Sequence, residues 1–178
     1  MRSLLLPVLS SLLLAGPARA DSIALYADAG AGACAKPSVP FQVNTVYVFH
    51  TQATGAAGSS WRIENTSGMA GLGSTCGQLV ISGDVFTGIS VSYGGCLAGT
   101  FPICQVELLS LTAGPIPDCY QLNVRGYPGD TPLVSDCSDN ETPATGGFFT
   151  FDIEGKPCWD CTTPVESSTW GRVKAMYR

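Results

Sequence analysis

The sequence predicts an all-β domain: an antiparallel β-sandwich, immunoglobulin-like in the broad sense and stapled by disulfides, with a small β-barrel as the alternative. Three observations carry this expectation. Short runs rich in β-branched and aromatic residues recur along the chain, separated by Gly- and Pro-containing turns. Several of these runs alternate with a period of two, and no convincing helical stripe occurs between 21 and 165. All eight cysteines follow a segment with the features of an export signal.

The expected strands follow in order. SIALYA (22–27) comes first, then a loop of small residues at 30–35, then NTVYVFHTQ (44–52) and SSWRIEN (59–65). QLVISG (78–83), GISVSYG (88–94) and CQVELLSLTA (104–113) continue the pattern, with GGCLAGTFPIC as the short connection between the last two. In CYQLNVRG (119–126), Tyr120, Leu122 and Val124 share one face while Gln121, Asn123 and Arg125 share the other, the alternation of a half-buried strand. PLVSDC (132–137) and GGFFTFDIEG (146–155) complete the set, and AGPIPD (113–118) and YPGDTP (127–132) supply turn residues.

Residues 1–20 read as a signal peptide. Arg2 precedes the apolar run Leu4 to Ala15, and Ala18-Arg19-Ala20 offers a small-x-small cleavage site before Asp21. The run is shorter than the ~20 residues a bilayer span needs, and no later segment is apolar enough, so the mature chain carries no membrane span. The expected location is exported: extracellular, cell surface or periplasm. In that setting Cys34, Cys76, Cys96, Cys104, Cys119, Cys137, Cys158 and Cys161 read as disulfide partners. Cys119 and Cys137 flank the 127–132 turn and are expected to meet across a hairpin, and Cys96 and Cys104 to close their connection.

Charge divides the mature chain in two. Residues 21–166 hold four cations against fourteen acids, a net of −10, and constitute the sandwich domain. Residues 167–178, SSTWGRVKAMYR, hold three cations and no acid. Such a body repels nucleic acid and anionic lipid.

Catalytic constellations are scarce. His50 is the one histidine, so any Ser-His-Asp or Cys-His arrangement has to use it. PCWDC (157–161) holds a C-x-x-C pair, Cys158 and Cys161, which makes an envelope thiol oxidoreductase an alternative function; an all-β body and the intervening Asp160 speak against it. A carboxylate-based hydrolase needs two acids facing across a cleft. Asp136, Asp139 and Glu141, with Asp130 nearby, are candidate calcium ligands whose spacing matches no defined loop, so a solvated acidic turn is the expectation. Trp61, Tyr93, Tyr127 and Trp159 are candidates for a glycan platform, with Trp61 and Tyr93 read first as core or strand-face residues. The sequence calls for no cofactor and no metal. A non-enzymatic structural, adhesive or binding module at the cell surface is the leading expectation, with a cell-envelope protein or a glycan as partner.

The tail has its own pattern. As a helix it places Trp170, Val173 and Tyr177 on one stripe, with Arg172 and Lys174 away from it. PVESSTWGRVKAMYR, together with IALYAD (23–28), GISVSYGGC (88–96) and ATGG (144–147), resembles a group of uncharacterised exported bacterial proteins. These carry a signal peptide, a Cys-containing β-rich body and a C-terminal V-E-x-x-[ST]-W-G-x-[IV]-K-x-[LM]-[YF]-R segment. The resemblance implies export and a docking or sorting role for Trp170, Gly171, Arg172, Val173, Lys174, Tyr177 and Arg178; it supplies no catalytic or binding residue.

Overall fold

The computed structural model describes residues 21–66, 69–111 and 119–152. The expected signal peptide, Cys158, Trp159, Cys161 and the tail from Ser167 lie outside them. Among the described residues there are eleven strands and no helix. In chain order these are β1 (Ser22–Tyr26), β2 (Ala35–Pro37), β3 (Val43–Asn65), β4 (Ala70–Cys76), β5 (Leu79–Asp84), β6 (Gly88–Leu109), β7 (Tyr120–Gly126), β8 (Leu133–Asp136), β9 (Glu141–Pro143), β10 (Thr145–Gly146) and β11 (Phe148–Asp152).

Two long strands form the frame. β3 and β6 pair antiparallel from Val43 opposite Leu109 to Trp61 opposite Ile89. Both bend at the same level. Gln52 and Gly55 of β3 take φ of 59° and 138°, and Gly94 and Gly99 of β6 take 72° and 88°. The register slips there, with Ala53 opposite Gly99 and Ala56 opposite Leu97. Bulges of this kind kink a strand and increase its twist, so each long strand serves two layers.

Layer one contains β10, β1, the first half of β3, the second half of β6 and β4, in that order. Layer two contains β5, the first half of β6, the second half of β3, then β7 and β8 end to end, flanked by β11 and β9. Residues 145–152 pass between the layers, since β10 pairs with β1 and β11 with β7. The result is the expected sandwich, built from one curled sheet with two short parallel pairings at its margins.

Between the layers lie the inward positions of every long strand. Ile23 and Leu25, Val46 and Val48, Trp61 and Ile63, Val106 and Leu108, Leu122 and Val124, and Phe149 and Phe151 are all buried. Burying a residue of this size stabilises by about 1.5–3 kcal/mol, so the interior supplies the main driving force.

Several breaks expected to separate strands do not do so. The runs 44–52 and 59–65 fuse into β3, and 88–94 and 104–113 into β6, because their small residues bend the chain without reversing it. YPGDTP does not make a hairpin either. β7 and β8 both run antiparallel to β3, with Gly126 opposite Trp61 and Leu133 opposite Ser60, so residues 127–132 bulge out of one composite strand. The Gly126 N–H donates to the Asp130 carbonyl at 2.9 Å. A Cβ on Gly126 would stand 2.2 Å from the Thr131 carbonyl oxygen, so only glycine fits that loop neck.

This geometry overturns both expected disulfides. Leu122 lies opposite Asn65 and Asp136 opposite Ala56, so Cys119 and Cys137 sit at opposite ends of a composite strand roughly 30 Å long at ~3.3 Å per residue. Cys96 and Cys104 lie along one continuous strand and cannot meet. Instead Cys76 joins Cys104, its direct cross-strand partner, with Cα atoms 3.9 Å apart. Cys96 joins Cys137 with Cα atoms 5.3 Å apart. Cys34 and Cys119 are each disulfide-bonded as well.

Candidate protein-binding face

The second half of β3 reads GSSWRIEN, and alternation sends Trp61 and Ile63 inward and Ser60, Arg62 and Glu64 outward. In β6 the same rule buries Ile89, Val91 and Tyr93 and turns out Ser90 and Ser92. Register brings these together: Ser60 opposite Ser90 and Leu133, and Gly58 opposite Ser92 and Ser135. The centre of the layer-two outer face is therefore paved with serines. Ser60 and Ser90 hydroxyls meet at 2.9 Å. Gly58 is required here, because a Cβ would stand 2.7 Å from the Val91 carbonyl oxygen.

The rim differs from the centre. Ile81 of β5, 62% exposed, stands on one side, and Asp139 and Glu141 of the β8–β9 hairpin on the other. Together with the serines they enclose a shallow depression of about 330 Å³. Beyond it Arg62 and Arg125 are cross-strand neighbours, balanced by Asp130 at 3.6 Å and Glu64 at 3.0 Å. Short hydroxyls let a partner's backbone approach closely, Ile81 offers an apolar anchor, and the carboxylates favour a cation.

Asp136, Asp139 and Glu141 divide their labour. The Asp136 carboxylate accepts from the Asn140 side chain and from the N–H groups of Asn140 and Ser138, which hold its carboxyl below the usual range. It thus organises the turn, as an acidic turn residue is expected to. Asp139 and Glu141 point their charge to the rim just described. Trp61 and Tyr93 are core residues, 0% and 6% exposed, so neither can form a glycan platform; Tyr127 is 38% exposed.

Directly beneath the serines runs a buried polar chain. Trp61 Nε1–H donates to Ser59 Oγ at 3.0 Å, Tyr93 Oη–H donates to the same oxygen at 2.7 Å, and His50 Nδ1 lies 3.1 Å from Tyr93 Oη. With the tyrosine proton committed to Ser59, His50 Nδ1–H is the donor to Tyr93. His50 Nε2 has no hydrogen-bond partner among the described residues and faces the Asp21 carboxylate at 3.9 Å. Burial lowers the His50 pKa, partly opposed by the Asp21 charge, and burial raises that of Tyr93. His50 is fully buried, with Phe101 against its ring.

Sequence reasoning located the strands of this face but did not single out Ser60, Ser90, Ser92, Ser135 or Ile81. The available signal was the repeated serine on the polar phase of SSWRIEN and GISVSYG.

No family model matches the chain, and no curated protein matches it. Solved structures do. A cohesin module from a Clostridium perfringens family 33 glycoside hydrolase is 10% identical, with a TM-score of 0.56 over 75% of this chain and 96% of that one. A chain of the complex between a CaDoc0917 variant and CaCohA2 is 12% identical, with a TM-score of 0.52 over 74% and 99%. A non-cellulosomal cohesin from the hyperthermophilic archaeon Archaeoglobus fulgidus is 13% identical, with a TM-score of 0.51 over 76% and 94%. At these identities the likeness is one of fold, and the fold is cohesin-like.

Proposed function

We propose that this chain is a non-enzymatic, exported binding module that docks a protein partner on the outer face of layer two. The observation that carries the reading is the serine-paved depression with Ile81 on one rim and Asp139 and Glu141 on the other. That combination suits a partner presenting an apolar side chain beside a lysine or arginine. The cohesin-like fold supports the reading, since CaCohA2 is found in complex with CaDoc0917. Disulfides at Cys76–Cys104 and Cys96–Cys137 support an oxidising compartment outside the cytosol. The test is Ser92→Arg. A long cation at the centre of the face is expected to abolish partner binding, while stability changes by no more than ~0.5 kcal/mol because the position is on the surface. Undiminished binding by a folded Ser92→Arg protein contradicts the proposal.

A further inference from the structure

We propose that the C-terminal segment 167–178 docks, in the same molecule, on an apolar patch at one end of layer one formed by Val39, Phe41, Val43 and Leu111. These four are 42%, 63%, 54% and 57% exposed, an unusual concentration of large apolar side chains. They are neighbours by hydrogen bonding. Val43 lies opposite Leu109, and the Phe41 N–H donates to the Ser110 carbonyl at 3.0 Å, which brings Phe41 beside Leu111. Val43 belongs to layer one and the serines to layer two, and the patch shares no residue with the serine face, so the inference does not rest on the proposed function.

The occupant follows from where the chain goes and what it carries. β11 ends at Asp152, opposite Pro37 and only two residues before Val39. The stretch from Asp152 to Trp170 spans up to about 60 Å when extended, ample to return to the patch. The segment supplies three large apolar residues, Trp170, Val173 and Tyr177, and three cations with no acid. Exposed Glu107 sits on β6 next to Leu108 and two residues before Leu109, and the body's net charge of −10 attracts those cations over a longer range. The body of a second copy offers no such complementarity, because two bodies of the same sign repel as they approach, and docking of a second copy's tail would be distinguished by its dependence on protein concentration.

Amide exchange on the full mature chain tests this. In the intact protein the amides of Val39, Phe41, Gln42 and Val43 and of residues 109–111 are expected to be protected. In Trp170→Ala, and in a chain ending at Glu166, they are expected to exchange roughly tenfold faster, with β3 residues 59–65 unchanged. Phe41→Ser is expected to lower the melting temperature no further when Trp170→Ala is already present, since the two share one contact. Identical exchange at 39–43 with and without the segment overturns the proposal. So does protection that grows with protein concentration, which assigns the patch to a second copy.

Discussion

The two outer faces of this sandwich are built by the same pair of strands yet carry different chemistry. Over its first half, β3 turns out Val43, Thr45 and Tyr47; over its second half it turns out Ser60, Arg62 and Glu64. The inward residues of the two halves are alike, Val46 and Val48 against Trp61 and Ile63. Burial constrains the inner phase of a strand to apolar residues of suitable volume, whatever the layer does. The outer phase is free of that demand, which leaves room for a serine pavement on one side and an apolar end on the other. Inner and outer constraints are thereby separated along a single strand.

That separation breaks most visibly from the inside. Trp61 is fully buried and also donates to Ser59, so Trp61→Ala is expected to cost about 3–5 kcal/mol, a large part of a typical domain's stability. Urea unfolding followed by tyrosine and tryptophan fluorescence reads this directly; a loss below ~1 kcal/mol would mean the core is elsewhere. Next in size is the staple between layer-two strands. Replacing Cys96 and Cys137 together with serine is expected to lower stability by about 2–4 kcal/mol. Peptide mapping under non-reducing conditions should show Cys96 linked to Cys137 and Cys76 to Cys104, and a Cys119–Cys137 peptide would refute the composite strand.

The smallest effect is a pH dependence. Burial lowers the His50 pKa in the folded state below its ordinary 6.5, so the unfolded chain takes up the proton first. Stability is then fully present above about pH 6.5 and falls as pH drops below it, in the range before the carboxylates titrate. Melting temperatures at pH 7.5 and 5.5 should show the decline in the wild type and a smaller one in His50→Asn. A wild type that gains stability on acidification would show that the Asp21 charge, and not burial, dominates this site.

Much of the fold was legible in the sequence because period-two alternation survives translation into structure. Leu122 and Val124 are buried and Gln121, Asn123 and Arg125 are not, as the pattern in 119–126 requires. What could not be read was whether a glycine-rich break turns the chain or only bends it. Gly55, Gly94 and Gly99 serve bulges, and the Pro128-Gly129 loop leaves and rejoins the same strand direction. Residue preferences at a reversal and at a bulge are nearly the same, and only long-range pairing distinguishes them. The disulfide pairings failed for that one reason. The candidate face was hidden for another: its serines carry no distinctive spacing until register aligns Ser60 with Ser90 and Gly58 with both Ser92 and Ser135.

The most direct test of the separation between core and faces is site-specific photo-crosslinking in the producing cells. A photoreactive residue is placed at Ser92 or Ser135 on layer two, and at Thr45 or Glu107 on layer one as controls. The expected result is one defined protein adduct from Ser92 and Ser135 that is absent from both control positions. An adduct formed equally from all four positions, or from the layer-one positions alone, would contradict the assignment of the serine face as the binding surface.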